Sequence, residues 1–309
     1  MKKPLEEHER REYVRIANYY YRFGFTQEEI AKKMNMSRQR INRILSKCIE
    51  LGIVKIVIPE LEDTHMGIEA ELEHKYGLQG VRVVDLISEE HLYSALGMVA
   101  SQYLMSIIKP GDCVGFSRGR SVSALVEHVN PVDIEELTVV QLMGSWNDEN
   151  SKVSSDDIVH RFSEKTAARP VMLHAPVVVK SEALRQSIME EPFFIKTYQT
   201  IKKCNIAVMG IGDAKYQDLI PTIGEEEYDY MRNNAVGEIC THFFNEKGER
   251  VESPIANRII AVEYEDLMKI SVRMGVAGSS QKLAAIKGAL AGKLINVLIT
   301  DLKTAKTLL

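Results

Sequence analysis

Residues 112–129 read DCVGFSRGRSVSALVEHV: a short buried strand, a glycine-flanked turn, then a helix whose Val122, Leu125, Val126 and Val129 share one face. A strand that enters a helix through so short a turn is the repeating unit of parallel α/β sheets, so this stretch constrains the fold more than any other. The turn itself has two readings. Gly115-Phe116-Ser117-Arg118-Gly119 matches the G-x-S-x-G elbow that presents a nucleophilic serine in hydrolases, and it equally suits a glycine-rich turn that holds an anion at a helix start.

The rest of the body repeats the unit. Strands are expected at 81–84, 137–142, 171–173, 206–209 and 297–299, alternating with helices that include a linker helix at 68–76 and a long one from 91 to 108. Such alternation predicts a doubly wound, Rossmann-like parallel sheet covered on both faces, with ligands at the carboxyl ends of its strands. Candidate binding residues sit at those ends: Gly144 before Ser145, Gly212 and Asp213 after Gly210-Ile211, and Gly278 and Lys282 in the AGSSQK run that opens the last long helix. The alternatives are plain. A glycine after a strand is ordinarily only a turn, Lys282 reads as a surface lysine, Asp213 and Glu238 serve either sugar hydroxyls or turn caps, and Trp146 packs near the cleft.

Charge divides the chain. Up to Ile56 there are 13 Lys and Arg against 7 acidic residues, about +6, and since the whole chain is −4 the remainder carries about −10. A basic head on an acidic body suggests that the head meets a polyanion. Its periodicity supports this. Val14, Ile16, Ala17, Tyr20 and Tyr21 mark a first helix; Thr26 and Glu29 form a capping box for a second, reaching Met34; and Ser37 caps a third that runs from Arg38 to Glu50. Ile30, Ala31, Met34, Ile41, Ile44 and Leu45 supply the shared core of a helix-turn-helix. The third helix then exposes Arg38, Gln39, Arg40, Asn42 and Arg43, side chains whose paired polar atoms match guanine and adenine edges. Lys32, Lys33 and Lys47 suit phosphates, and Thr26 and Ser37 complete the DNA-facing set. Residues 53–58, IVKIVI, read as a following strand, which makes the head winged in type. Domains are therefore expected at 1–58 and 59–309, the head binding DNA rather than serving only as a docking module.

Other classes are disfavoured. Cys48, Cys113, Cys204 and Cys240 form no C-x-x-C pair and the eight histidines no H-x-x-x-H, so neither a disulfide framework nor a metal site nor a cofactor is expected. No apolar run reaches bilayer-spanning length and the start, MKKPLEEHERREYVR, has no signal-peptide core, so the expected location is the cytoplasm, away from membranes.

Together these segments resemble the SorC-type family of bacterial sugar-binding transcriptional regulators over essentially the whole chain. TQEEIAKKMNMSRQRINRILSKCIELGIVKI resembles its DNA-binding head and GDCVGFSRGRSVSAL its effector loop; AVGEICTHFFNEKG and VAGSSQKLAAIKGALAGKLINVLITD resemble two further blocks, the last being the most specific. The resemblance implies an effector domain related in fold to sugar-phosphate isomerases and deaminases but acting as a sensor. It implies a phosphorylated sugar, sugar acid or polyol as effector, and a homotetramer, a dimer of dimers, on operator DNA with an inverted repeat. It also implies a phosphate cradle of Gly115, Ser117, Gly119, Arg120 and Ser121, approached by Lys282. Relatives often have an aromatic residue or glycine at the position of Arg118, threonine at that of Ser121 and glycine at that of Ser279, which leaves the ligand itself open. Arg118 and Arg120 beside a helix start favour an anion over an acyl intermediate, so no catalytic residue is expected. The alternative is a sugar-phosphate isomerase or deaminase carrying a DNA-binding head.

Overall fold

A computed structural model describes residues 7–55, 64–86, 88–146, 154–215 and 223–309. The chain divides into two compact units, Met1–Leu61 and Glu62–Leu309.

In the first unit α1 (Glu7–Ala17) runs into a wider π-helical turn, Asn18–Arg22, followed by α2 (Gln27–Met34) and α3 (Arg38–Glu50). Ile16, Ile30, Ile41, Ile44, Leu45 and Cys48 close around one another to form its core. The capping box is present: the Thr26 hydroxyl accepts from the Glu29 amide while Glu29 accepts from the Thr26 amide, and these bonds hold the Glu29 carboxyl below its usual range. Asn35 takes a left-handed conformation, φ 53°, to end α2, and Ser37 caps α3 by accepting from the Arg40 amide. Two of the residues that mark the first helix are exposed. Val14 is 40% and Tyr21 43% exposed, because α1 buries Tyr13, Ile16 and Ala17 instead and the wider turn changes the phase of the tyrosines that follow. Of the expected wing, residues 53–55 form no strand and 56–58 lie outside the described residues.

The second unit is built on a parallel seven-stranded sheet in the order β1-β10-β9-β5-β2-β3-β4. Its strands are β1 (Gly80–Val84), β2 (Cys113–Phe116), β3 (Thr138–Gln141), β4 (Arg169–Val171), β5 (Ile206–Gly210), β9 (Val272–Val276) and β10 (Val297–Asp301). A small antiparallel sheet, β6 (Gly212–Asp213), β7 (Gly237–Ile239) and β8 (His242–Phe244), was not anticipated, nor was β9. One face packs against α5 (Leu92–Ile107), α6 (Arg120–Glu127) and α7 (Ser155–Thr166), burying Leu96, Phe116, Leu125, Ile158 and Phe162. The other buries Leu72 of α4 (Met66–Tyr76), Phe194, Ile201, Ile286, Leu290 and Leu308. This is the expected doubly wound arrangement. The β1 edge of the sheet is met by α4, whose Glu69 and Glu73 carboxylates each accept an amide of β1, from Val83 and Val81, at 2.8 Å. A strand edge left open would invite pairing with another chain. No helix among the described residues is long and apolar enough to cross a membrane.

Candidate functional site

Strand order reverses between β2 and β5: from β2 the chain proceeds outward through β3 and β4, then returns to β5 and builds the other half of the sheet. In parallel sheets the crevice at the carboxyl ends of two strands where the order reverses is the place where ligands bind. The loops after β2, β5 and β9 meet there. The Ser117 hydroxyl accepts from the Gly210 amide at 3.1 Å and donates to the Arg118 carbonyl at 3.1 Å. The Ser121 hydroxyl donates to the Val276 carbonyl at 2.7 Å, and Lys282 Nζ donates to the Ile211 carbonyl at 2.7 Å.

These bonds bear on the question of the elbow. Ser117 is 2% exposed, its hydroxyl is committed to backbone, and no histidine hydrogen-bonds to it among the described residues. His128 contacts Ser94 and His242 the Val262 carbonyl. A nucleophile needs a base within hydrogen-bond reach and an open approach, and among the described residues Ser117 shows neither. Both serines staple the turn to its neighbours.

The charged groups converge around this turn. The Arg118 guanidinium lies 5.5 Å from the centre of the Trp146 ring, and that of Arg120 4.5 Å from the centre of Tyr93. Lys282 is half-buried. Burial lowers its pKa and nearby Arg120 pushes the same way, against the opposing carboxylates of Glu238 and Asp213. Burial raises the pKa of Glu238, opposed by the Thr241 amide and by Lys282 and Arg118. Among the described residues, Lys282, Arg118 and Arg120 thus stand near the carboxylates of Glu238 and Asp213, where burial already penalises the lysine's charge. An incoming anion relieves that penalty.

Several of the expected residues are also engaged within the fold. Gly115 lies inside β2, where a Cβ would meet Leu142 Cδ2 at 2.5 Å, so it serves packing. Gly144 abuts the Ala175 carbonyl, 2.5 Å from where a Cβ would stand. Asp213 accepts from the Lys215 amide at 2.9 Å, a turn-capping bond. Gly119 precedes α6, Gly212 adjoins the Glu238 carboxylate and Gly278 adjoins Asp301. Asp301 was missed. It is 1% exposed; its carboxylate accepts from the Ser279 amide at 2.7 Å, the Thr304 hydroxyl at 2.6 Å and the Thr304 amide at 2.9 Å, fixing the turn that carries Lys282. The signal was available, since aspartate between a strand and a helix is an N-cap.

Glu238 also belongs to a hairpin whose turn residues Cys240 and Thr241 have φ 50° and 68°. Beyond it His242 stacks edge-on to Tyr264, with Nε2 2.8 Å from the Val262 carbonyl. Burial lowers the pKa of His242, and Arg250 adds to this while Glu263, Glu265 and the carbonyl oppose it. A histidine depressed in the folded state contributes stability above its unfolded pKa, about 6.5, and that contribution is lost as pH falls through the folded value. The expected outcome is that His242→Gln loses less stability than the wild type between neutral pH and pH ~5, measured by urea denaturation at each pH. Equal losses would mean that His242 does not set this dependence.

In the head, the face of α3 opposite its buried Ile41, Ile44, Leu45 and Cys48 presents Gln39 and Arg43, flanked by Asn42. Arg38 and Lys33 are exposed. Arg40 differs: helical spacing turns it toward α1, where its guanidinium lies 3.4 Å from Glu12. The Thr26 hydroxyl is engaged with the Glu29 carboxylate at 2.8 Å.

The model of the Sugar-bind family, a sugar-binding domain, matches residues 63–309, and that of sigma-70 region 4 matches residues 16–50. The deoxyribonucleoside regulator of Bacillus subtilis is 31% identical over 300 residues, covering 96% of both chains. The sorbitol operon regulator of Klebsiella pneumoniae is 28% identical over 304 residues, again 96% of both. The crystal structure of full-length SorC from Klebsiella pneumoniae superposes with a TM-score of 0.77 at 27% identity, covering 98% of this chain and 99% of that one.

Proposed function

The chain belongs to the family of sugar-binding transcriptional regulators that includes SorC, and on that premise we propose that a phosphorylated sugar or polyol, bound where Lys282, Arg118 and Arg120 converge, controls its hold on operator DNA. It is a DNA-binding regulator of transcription whose effector domain binds a sugar. The observation that carries the proposal is the half-buried Lys282 beside two arginines at the point where strand order reverses. In this reading residues 1–58 bind DNA through α3, and residues 59–309 bind the effector and assemble the protein in the cytoplasm as a dimer of dimers on an inverted repeat. The commitment of Ser117 to backbone bonds favours a sensor over an enzyme.

A thermal-shift series tests this, with phosphates of deoxyribose, sorbitol, fructose and ribose beside their unphosphorylated forms and inorganic phosphate. The first two are chosen from the names of the relatives. One sugar phosphate is expected to raise the melting temperature, because a ligand at 100 times its Kd adds about 2.7 kcal/mol. Its free sugar should have no effect at that concentration, and chromatography should recover the ligand unchanged. Conversion to product would replace the sensor with an isomerase or deaminase.

A further inference from the structure

Ser279 occupies backbone that serine ordinarily avoids. Its φ is 88° and its ψ 151°, a region populated almost only by glycine. The conformation is enforced from both sides. The buried Asp301 carboxylate takes the Ser279 amide at 2.7 Å, and the Ser279 carbonyl accepts from the Lys282 amide at 3.1 Å. Ser279 therefore connects a buried anchor to the lysine of the crevice. Gly278 cannot share the load, since a Cβ there would collide with the Asp301 carboxylate and crowd Leu92. Glycine at 279 would satisfy every one of these backbone bonds without strain. What serine adds is a half-exposed hydroxyl, and among the described residues that hydroxyl has no hydrogen-bond partner.

We infer that Ser279 is a specificity-determining residue of the effector site, its hydroxyl hydrogen-bonding a hydroxyl or carbonyl oxygen on the sugar or polyol portion of the ligand. The inference rests on the proposed anion site. The phosphate already has cations to meet it, Arg118, Arg120 and Lys282, whereas a neutral group that both donates and accepts suits a neutral oxygen. The turn adjoins Leu92, next to Tyr93, over which Arg120 lies. Ser279 is tied to Lys282 through its own carbonyl, so a ligand that meets Lys282 lies near the Ser279 turn. A site that pairs a ligand hydroxyl rejects analogues lacking it far more strongly than apolar contact could.

Two variants separate the hydroxyl from the strain. Ser279→Ala keeps the Cβ and its strained backbone; Ser279→Gly removes both. Each is titrated by calorimetry with deoxyribose phosphate, sorbitol phosphate, fructose phosphate, ribose phosphate and inorganic phosphate, alongside the wild type, and melted without ligand. The Gly variant is expected to melt about 2–6 °C higher than the Ala variant, as strain is released. Both should bind the wild type's preferred sugar phosphate roughly 2- to 12-fold more weakly, the loss of one neutral hydrogen bond, while inorganic phosphate binds all three proteins alike. Wild-type affinity for the sugar phosphate in the Gly variant would overturn the inference and leave Ser279 a tolerated strain. Equal weakening toward inorganic phosphate would overturn it too, by assigning Ser279 to the placement of Lys282. If the wild type binds none of the four organic phosphates, the anion-site reading falls first and this inference with it.

Discussion

Lys282→Met is expected to raise the effector concentration needed for a response by roughly 10- to 150-fold while leaving operator binding without effector unchanged. The lysine donates to the Ile211 carbonyl and stands by Glu238 and Asp213, so the protein's own groups already partly match its charge. Burial penalises that charge, and a neutral side chain of similar length removes the penalty, so the fold should tolerate the change. What is lost appears only when an anion arrives: a charge-assisted hydrogen bond worth about 1.5–3 kcal/mol. The head keeps a core of its own around Ile30 and Ile41, so its DNA affinity should not move. Effector response is a difference between two states, and the variant changes the ligand's share of that difference alone. Operator DNA selected by the wild type from a random pool, titrated with effector for both proteins, measures it. An unchanged midpoint would place the anion elsewhere, and lost DNA binding without effector would assign Lys282 to the fold or the assembly.

The strand-turn-helix at 112–129 was legible because a parallel sheet writes its strands as continuous apolar runs and its ligand turns as glycines. The helix-turn-helix was legible for a different reason, since Thr26, Glu29 and Ser37 mark helix starts whatever the tertiary context. What escaped was non-local. β9 runs through the interior of the sheet, but Arg273 interrupts its apolar run, and only the fold reveals that the guanidinium donates to the carbonyls of Met268, Ile270, Lys293 and Leu294. The strands of the small antiparallel sheet have two or three residues, too few for a period. In the site, a serine in a glycine-rich turn looks the same whether its hydroxyl faces a ligand or staples the turn, and Ser117 and Ser121 do the latter. Ser279 reads as an ordinary turn residue until its backbone angles are known.

Gln39→Ala should cost about 1–3 kcal/mol on operator DNA and much less on random DNA, with sequence preference relaxed at the base it reads. α3 buries Ile41, Ile44, Leu45 and Cys48, and at 3.6 residues per turn the face opposite them carries Gln39 and Arg43 in its first two turns. A recognition helix inserts those turns into the major groove, where a glutamine offers a donor and an acceptor to one adenine. Arg40 is turned toward Glu12, with which it pairs at 3.4 Å, so Arg40→Ala should weaken operator binding less than Arg43→Ala does. Lys33, exposed and lying 5.4 Å from the centre of the Tyr19 ring, suits a phosphate. Its replacement should weaken operator and random DNA alike and flatten the salt dependence by about one charge. Band-shift titrations of the four alanine variants on both DNAs, at two salt concentrations, separate these roles. Equal losses on operator and random DNA for Gln39→Ala would withdraw it from base reading, and a larger operator-specific loss for Arg40 than for Arg43 would mean that the Glu12 pair breaks when the helix enters the groove.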